Sequence, residues 1–173
     1  MSDNQITIQP EESYKIIRKS VLTAQSKVYT VVNSAMVQAY WEIGQEIHKA
    51  CGKNDRAEYG KKLLEYLSEQ LTNEFGKGFT VTNLKYMRQF YRAFPNRHTL
   101  CDDLSWSHYR LLMRVENEKT RSFYAEECVK SGWSVRQLER QIGTFYYERL
   151  LASQDKEAVE KEIRLPEKVE PKN

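Results

Sequence analysis

Between Phe75 and Cys101 the chain carries five basic residues, Lys77, Lys85, Arg88, Arg92 and Arg97, and no Asp or Glu. Cations gathered without carboxylates can neutralise phosphate. Arginine can in addition grip guanine through two bonds, and glutamine can read adenine, so Gln89 in the same run extends the chemistry from phosphate to base edges. The chemistry in view is recognition of a polyanion, and it depends on an element that turns these groups outward together.

A short helix does this. Gly76 and Gly78 around Lys77 make a tight turn, because glycine adopts positive φ at little cost. Thr80 then caps a helix over about Val81 to Ala93, and Pro95 forbids its continuation. At about 100° per residue from Thr82, Leu84, Met87, Phe90, Tyr91 and Phe94 share an arc of about 80° to 200°, the core face. Lys85, Arg88, Gln89 and Arg92 occupy the opposite arc, about 240° to 340°, with Thr82 and Tyr86 at its edge. A helix, a glycine turn and a second helix presenting such groups is the arrangement that places a recognition helix in the DNA major groove. A solvated wet face would also look basic, and a second acid-free run, Ser13 to Trp41, holds Lys15, Arg18, Lys19 and Lys27.

The supporting elements read as helices throughout. Ile17, Val21, Ala24, Val28, Val32, Ala35, Ala39, Ile43 and Ile47 recur every three or four residues, predicting one long helix or two joined ones from about Glu12 to Lys49. That stripe can serve its own core or pair with a second copy of the chain. Leu63, Leu64, Leu67, Leu71 and Phe75 mark a second helix, placing the helix-turn-helix at about 61–93. After a loop over 96–104, helices follow from about Trp106 to Val115 and from Glu118 to Lys130, the latter stopped by Gly132. Ser134 with Gln137 forms a capping box that opens a last helix reaching about Leu151. The fold class expected is all-α, with residues 1–12 disordered and 152–173 a charged tail or linker.

No run of eighteen apolar residues occurs and the N-terminus is polar, so neither a membrane span nor a signal peptide is read and a cytoplasmic protein is expected. Net charge of +3 is only mildly basic, so the polyanion reading rests on local clustering. Cys51, Cys101 and Cys128 are odd in number and far apart, which suits buried thiols better than disulfides or a zinc site. His48, His98 and His108 lack metal-pair spacing, Asp102-Asp103 suits a turn, and Gly76-x-Gly78 follows a helix rather than the strand a phosphate loop requires. No cofactor, metal or catalytic residue is expected.

The segments YWEIGQEI at 40–47, RAEYGKKLLEYLSEQL at 56–71, EFGKGFTVTNLKYMRQFYRAFP at 74–95, LSWSHYRLLMRV at 104–115 and GWSVRQLERQI at 132–142 together resemble the YhcG-like N-terminal domain family over roughly 13–151. In that family the domain usually precedes a PD-(D/E)XK nuclease domain, and the resemblance implies a bacterial helical module for DNA. From Gly78 to Ile142 the chain is also similar to the helix-turn-helix region of ParB partition proteins. That likeness puts Thr82, Asn83, Tyr86 and Arg88 on or near a recognition helix, and matches Ser134, Val135, Arg136 and Glu139 to a closing helix. The chain departs from it with Phe94-Pro95 for leucine-proline and Trp106-Ser107-His108-Tyr109 for the His-Ala-Arg start.

A PD-(D/E)XK centre needs carboxylates on adjacent strands to hold a divalent metal, with a lysine assisting the attacking water. Only Glu170-Pro171-Lys172 fits the tripeptide, in a tail without strand pattern, so the nuclease domain is expected to lie outside this chain. The expectation is a non-catalytic DNA-binding module, with Lys77, Thr82, Asn83, Lys85, Tyr86, Arg88, Gln89 and Arg92 as DNA contacts. Its partners are duplex DNA and, through the 12–49 helix, a homodimer. The alternative is an assembly module that positions a nuclease without touching DNA.

Overall fold

The computed structural model describes residues 10–52 and 57–153, and every regular element in them is helical. In chain order these are α1 (Pro10–Cys51), α2 (Ala57–Phe75), α3 (Val81–Ala93), a 3-10 turn at Arg97–Thr99, α4 (Trp106–Leu112), α5 (Glu118–Ser131), α6 (Val135–Gly143) and α7 (Tyr146–Ala152). The all-α reading holds. The chain divides into two compact units at Trp106/Ser107. The tail from residue 154 and the tripeptide at 170–172 lie outside the described residues, as do residues 1–9.

α1 is a single helix of 42 residues. It starts at Pro10, inside the stretch expected to lack structure, because proline at the first helical position forfeits only a hydrogen bond that is missing there anyway. Glu11 and Glu12 in the first turn favour the helix dipole. Only its C-terminal part is buried, through Val37, Trp41, Gly44, Ile47 and Cys51. From Tyr14 to Val32 the apolar stripe is solvent-exposed, with Ile17, Val28 and Val31 each more than 60% accessible. The stripe and the core face are different faces of one rod.

The first unit is built where α3 crosses α1. Leu84 and Phe90 are 0% exposed, and Ile47, Cys51, Leu64, Leu84 and Met87 form one cluster padded by Leu63, Leu67, Leu71, Phe79 and Trp106. Gly44 sets the crossing: a Cβ there would lie 2.0 Å from the Met87 carbonyl oxygen and 3.2 Å from the Arg88 nitrogen, both backbone atoms. The Trp41 indole Nε1 donates to the Phe94 carbonyl at 2.7 Å, and the Trp41 and Tyr91 rings meet edge to face. The loop after α3 is tied down as well: Arg97 pairs with Glu42 and donates to Gln38, and the Ser34 hydroxyl donates to Asp102.

In the second unit, α5 ends as expected at Gly132, in the left-handed conformation at φ 61°, with Trp133 N donating to the Cys128 carbonyl. Ser134 and Gln137 form both bonds of the capping box that opens α6. The helix expected to run unbroken to Leu151 is broken at Thr144–Phe145, where Phe145 takes φ 52°. Gly143 ends α6 just before the break, and a long-range contact holds the broken geometry. The buried Tyr124 hydroxyl donates to the Gln141 carbonyl and accepts from the Tyr147 amide, both at 3.2 Å, so it holds the end of α6 to the start of α7. Tyr146 is thereby buried beside Phe123 and Trp133. α4 is also shorter than read, ending at Leu112.

Candidate nucleic-acid interface

The segment α2, glycine turn, α3 forms as the composition requires. Gly76 and Gly78 take φ 80° and 137°, a region that side chains with a Cβ rarely enter. The turn is then fastened from both sides: Gly76 N donates to Thr72 O, and the Asn83 side-chain amide donates to Gly78 O at 2.9 Å. Thr80 caps α3 by accepting from Asn83 N.

The eight residues singled out from sequence divide by burial. Lys77, Thr82, Lys85, Gln89 and Arg92 are exposed, whereas Asn83, Tyr86 and Arg88 are half-buried. Asn83 is half-buried because its amide holds the turn, a structural task that competes with reading a base. Arg88 lies at the margin of the outward arc and follows Met87 at the Gly44 crossing; its Nε is buried without a hydrogen bond, although the residue has partners elsewhere. Lys77, Lys85 and Arg92 are not paired with any carboxylate among the described residues. Arg97, the fifth cation of the acid-free run, is neutralised by Glu42 at 3.1 Å. Among the described residues the outward face of α3 therefore keeps two exposed cations without a carboxylate partner, Lys85 and Arg92, with a third, Lys77, in the turn.

Sequence reading missed two features. One is Gly44, whose signal was a glycine inside a strong helical period between Trp41 and Ile47. The other is the position of the second acid-free run. Lys15, Arg18, Lys19 and Lys27 stand on the exposed half of α1, each solvent-accessible and without a carboxylate partner among the described residues.

Perturbed titrations lie away from this surface. Desolvation lowers His108, partly offset by its hydrogen bond to the Trp133 carbonyl, and burial pushes the Cys128 thiol up to about 11. Burial also raises Tyr124. These are groups held neutral by packing. Among the described residues no three His, Cys, Asp or Glu side chains converge in a metal-holding set, and no helix is long and apolar enough to cross a membrane.

Comparison with known proteins bears on the same elements. No solved structure matches the chain. A protein of Escherichia coli (strain K12) named "Putative nuclease YhcG" is 35% identical over 170 residues, covering 79% of this chain. The chain spans 45% of that relative's length. The family profile described as the DUF1016 N-terminal domain matches residues 16–149, which takes in most of α1 and every later helix through most of α7. The chain belongs to this family, that of the YhcG-like N-terminal domains.

Proposed function

We propose that α2, the glycine turn and α3 act as a helix-turn-helix that binds duplex DNA, within a bacterial, cytoplasmic module that has no catalytic role of its own and serves a nuclease domain or partner. The observation that carries this reading is the division of α3. Leu84, Met87 and Phe90 are fully buried, which fixes the helix in place, while Lys85 and Arg92 on the reverse face are exposed and have no carboxylate partner among the described residues. Thr82, Lys85, Gln89 and Arg92 then reach the groove, and Lys77 in the turn reaches a flanking phosphate. Asn83, Tyr86 and Arg88 support the surface from its margin. The relative named as a nuclease makes nucleic acid the fitting polyanion.

The test is the triple variant Lys77→Ala, Lys85→Ala, Arg92→Ala, assayed by fluorescence anisotropy on a labelled duplex after circular dichroism has shown native helicity. Loss of at least tenfold in affinity is expected, in line with several phosphate contacts removed together. Affinity equal to that of the unmodified chain would reject α3 as the contact.

A second reading has its own observation. Tyr14, Ile17, Val21, Ala24, Val28, Val31 and Ala35 alternate by three and four along the exposed half of α1, the spacing of a coiled-coil seam. The seam faces away from the side of α1 that packs on α3, so its own unit does not cover it. On this reading two copies pair through α1 and place two α3 helices on one duplex, as helix-turn-helix dimers do. Light scattering should give a dimer whose mass halves in Val28→Glu. A monomer at every concentration would remove it.

A further inference from the structure

We infer a second phosphate-binding surface on the exposed half of α1, formed by Lys15, Arg18, Lys19 and Lys27, which grips the backbone of the same duplex beside α3; the inference rests on the DNA-binding reading above.

Its first ground is composition in place. From Ser13 to Trp41 the helix has no acid. All four cations are exposed, and with Leu22 and Thr23 they border one open depression along the helix. Elsewhere on α1 and α2 the lysines pair within their own helix: Lys49 with Glu46, Lys61 with Glu65, Lys62 with Glu58. The N-terminal half of α1 departs from that habit. A helix that stayed solvated for solubility alone would be expected to mix signs, as α2 does.

The second ground is direction. At about 100° per residue, Lys15 and Lys19 lie within about 20° of the mean azimuth of the buried Val37, Trp41, Gly44, Ile47 and Cys51, and Arg18 and Lys27 flank it on either side, about 80° and 100° away. That azimuth is the one α3 occupies, since Gly44 meets Met87 and Trp41 meets Phe94. Lys15 and Lys19 therefore look toward the side of the unit on which α3 turns its own exposed face outward, with Arg18 and Lys27 at the margins of that side. The apolar seam centres about 170° away. Contacts place Trp41 at the C-terminal end of α3 and Cys51 with Leu84 near its start, so the two helices run antiparallel and the cationic half of α1 continues past the Arg92 end of α3. From Lys15 to Lys27 it spans roughly 18 Å at 1.5 Å per residue, length enough to follow several phosphates spaced at about 1.7 Å of duplex axis per charge.

An amphipathic cationic helix could also lie on an anionic membrane. The shared orientation with α3 favours DNA, because a bilayer would take the apolar face, which looks the other way.

The experiment measures how the affinity for a duplex of about 25 base pairs depends on salt, for the full chain and for Lys15→Gln, Arg18→Gln, Lys19→Gln, Lys27→Gln, with helicity checked by circular dichroism. Seven contacts predict a slope of log K against log salt near −6, and three predict a slope near −3, at about 0.9 per phosphate. Between 50 and 200 mM salt the parent should then lose about two decades more affinity than the variant. A variant slope equal to the parent's overturns the inference while leaving α3 intact, which the triple variant of α3 tests separately. Unchanged DNA slopes together with loss of binding to vesicles containing one third phosphatidylglycerol would assign these cations to a lipid surface and likewise overturn it. An arrangement in which neither variant changes DNA binding would reject both surfaces.

Discussion

Replacing Gly44 by alanine isolates the contact on which the position of α3 depends. The added Cβ would sit 2.0 Å from the Met87 carbonyl oxygen and 2.6 Å from its carbon, and backbone atoms cannot swing aside as a side chain would. Restoring ordinary contact near 3.4 Å requires α1 and α3 to part by roughly 1.4 Å, since close-packed interiors do not absorb such a change locally. Overpacking of this kind costs about 1 to 3 kcal/mol, and the parting of Leu84, Met87 and Phe90 from their neighbours adds to it. Alanine gains about 1 kcal/mol in helix propensity at the same position. The net expectation is a loss of about 2 kcal/mol, or roughly 10 °C in the melting midpoint of a unit this size. Gly60→Ala is the matched control, because its Cβ meets only the Cys51 Sγ at 3.6 Å, an ordinary distance, and should leave stability equal or higher. Thermal and urea unfolding followed at 222 nm measure both. If Gly44→Ala melts no lower than the parent, the close crossing of α1 and α3 is wrong, and so is the orientation given to the α3 surface.

Three further outcomes concern a buried hydroxyl, a buried imidazole and the thiols. Tyr124→Phe deletes both bonds of its hydroxyl and leaves the Gln141 carbonyl and the Tyr147 amide without that partner, so urea unfolding should show a loss of about 1 to 3 kcal/mol. His108 titrates below its ordinary 6.5 because burial disfavours the charged form. The unfolded chain therefore binds the proton first as pH falls below 6.5, and stability should decline from there toward the lowered value. That decline in melting midpoint should flatten in His108→Gln, and an unchanged pH profile would remove His108 as its source. Cys128, with its thiol at about 11 and its side chain buried, should resist maleimide at pH 8 until the chain unfolds, as should buried Cys51, while Cys101 reacts first by mass spectrometry.

Local signals were legible wherever one short stretch of chain decides the outcome. The turn at Gly76–Gly78, the Thr80 cap, the stop at Gly132 and the capping box at Ser134 are all made by neighbours in sequence, and each forms as read. What sequence left open depends on distant partners. The apolar period of α1 was plain, but which part of it reaches a core is decided by α3, so Val37, Trp41 and Gly44 are buried while Ile17 and Val28 are exposed. The break at Thr144–Phe145 directly follows Gly143, a local signal that was passed over, and it is held by Tyr124, 21 residues upstream of Phe145. In the candidate site the helical wheel separated Leu84 from Lys85 correctly, yet could not foresee that Asn83 would be spent on Gly78 or that Arg88 would be drawn inward at the Gly44 crossing.

Amide chemical-shift mapping with a short duplex locates the DNA contact without altering the protein. Salt-sensitive shifts are expected to concentrate at Lys77, Thr82, Lys85, Gln89 and Arg92, with a second set from Lys15 to Lys27, while the buried positions Leu84 and Phe90 move less. Saturating shifts confined to other elements, or none at any duplex concentration in low salt, would contradict DNA binding through α3.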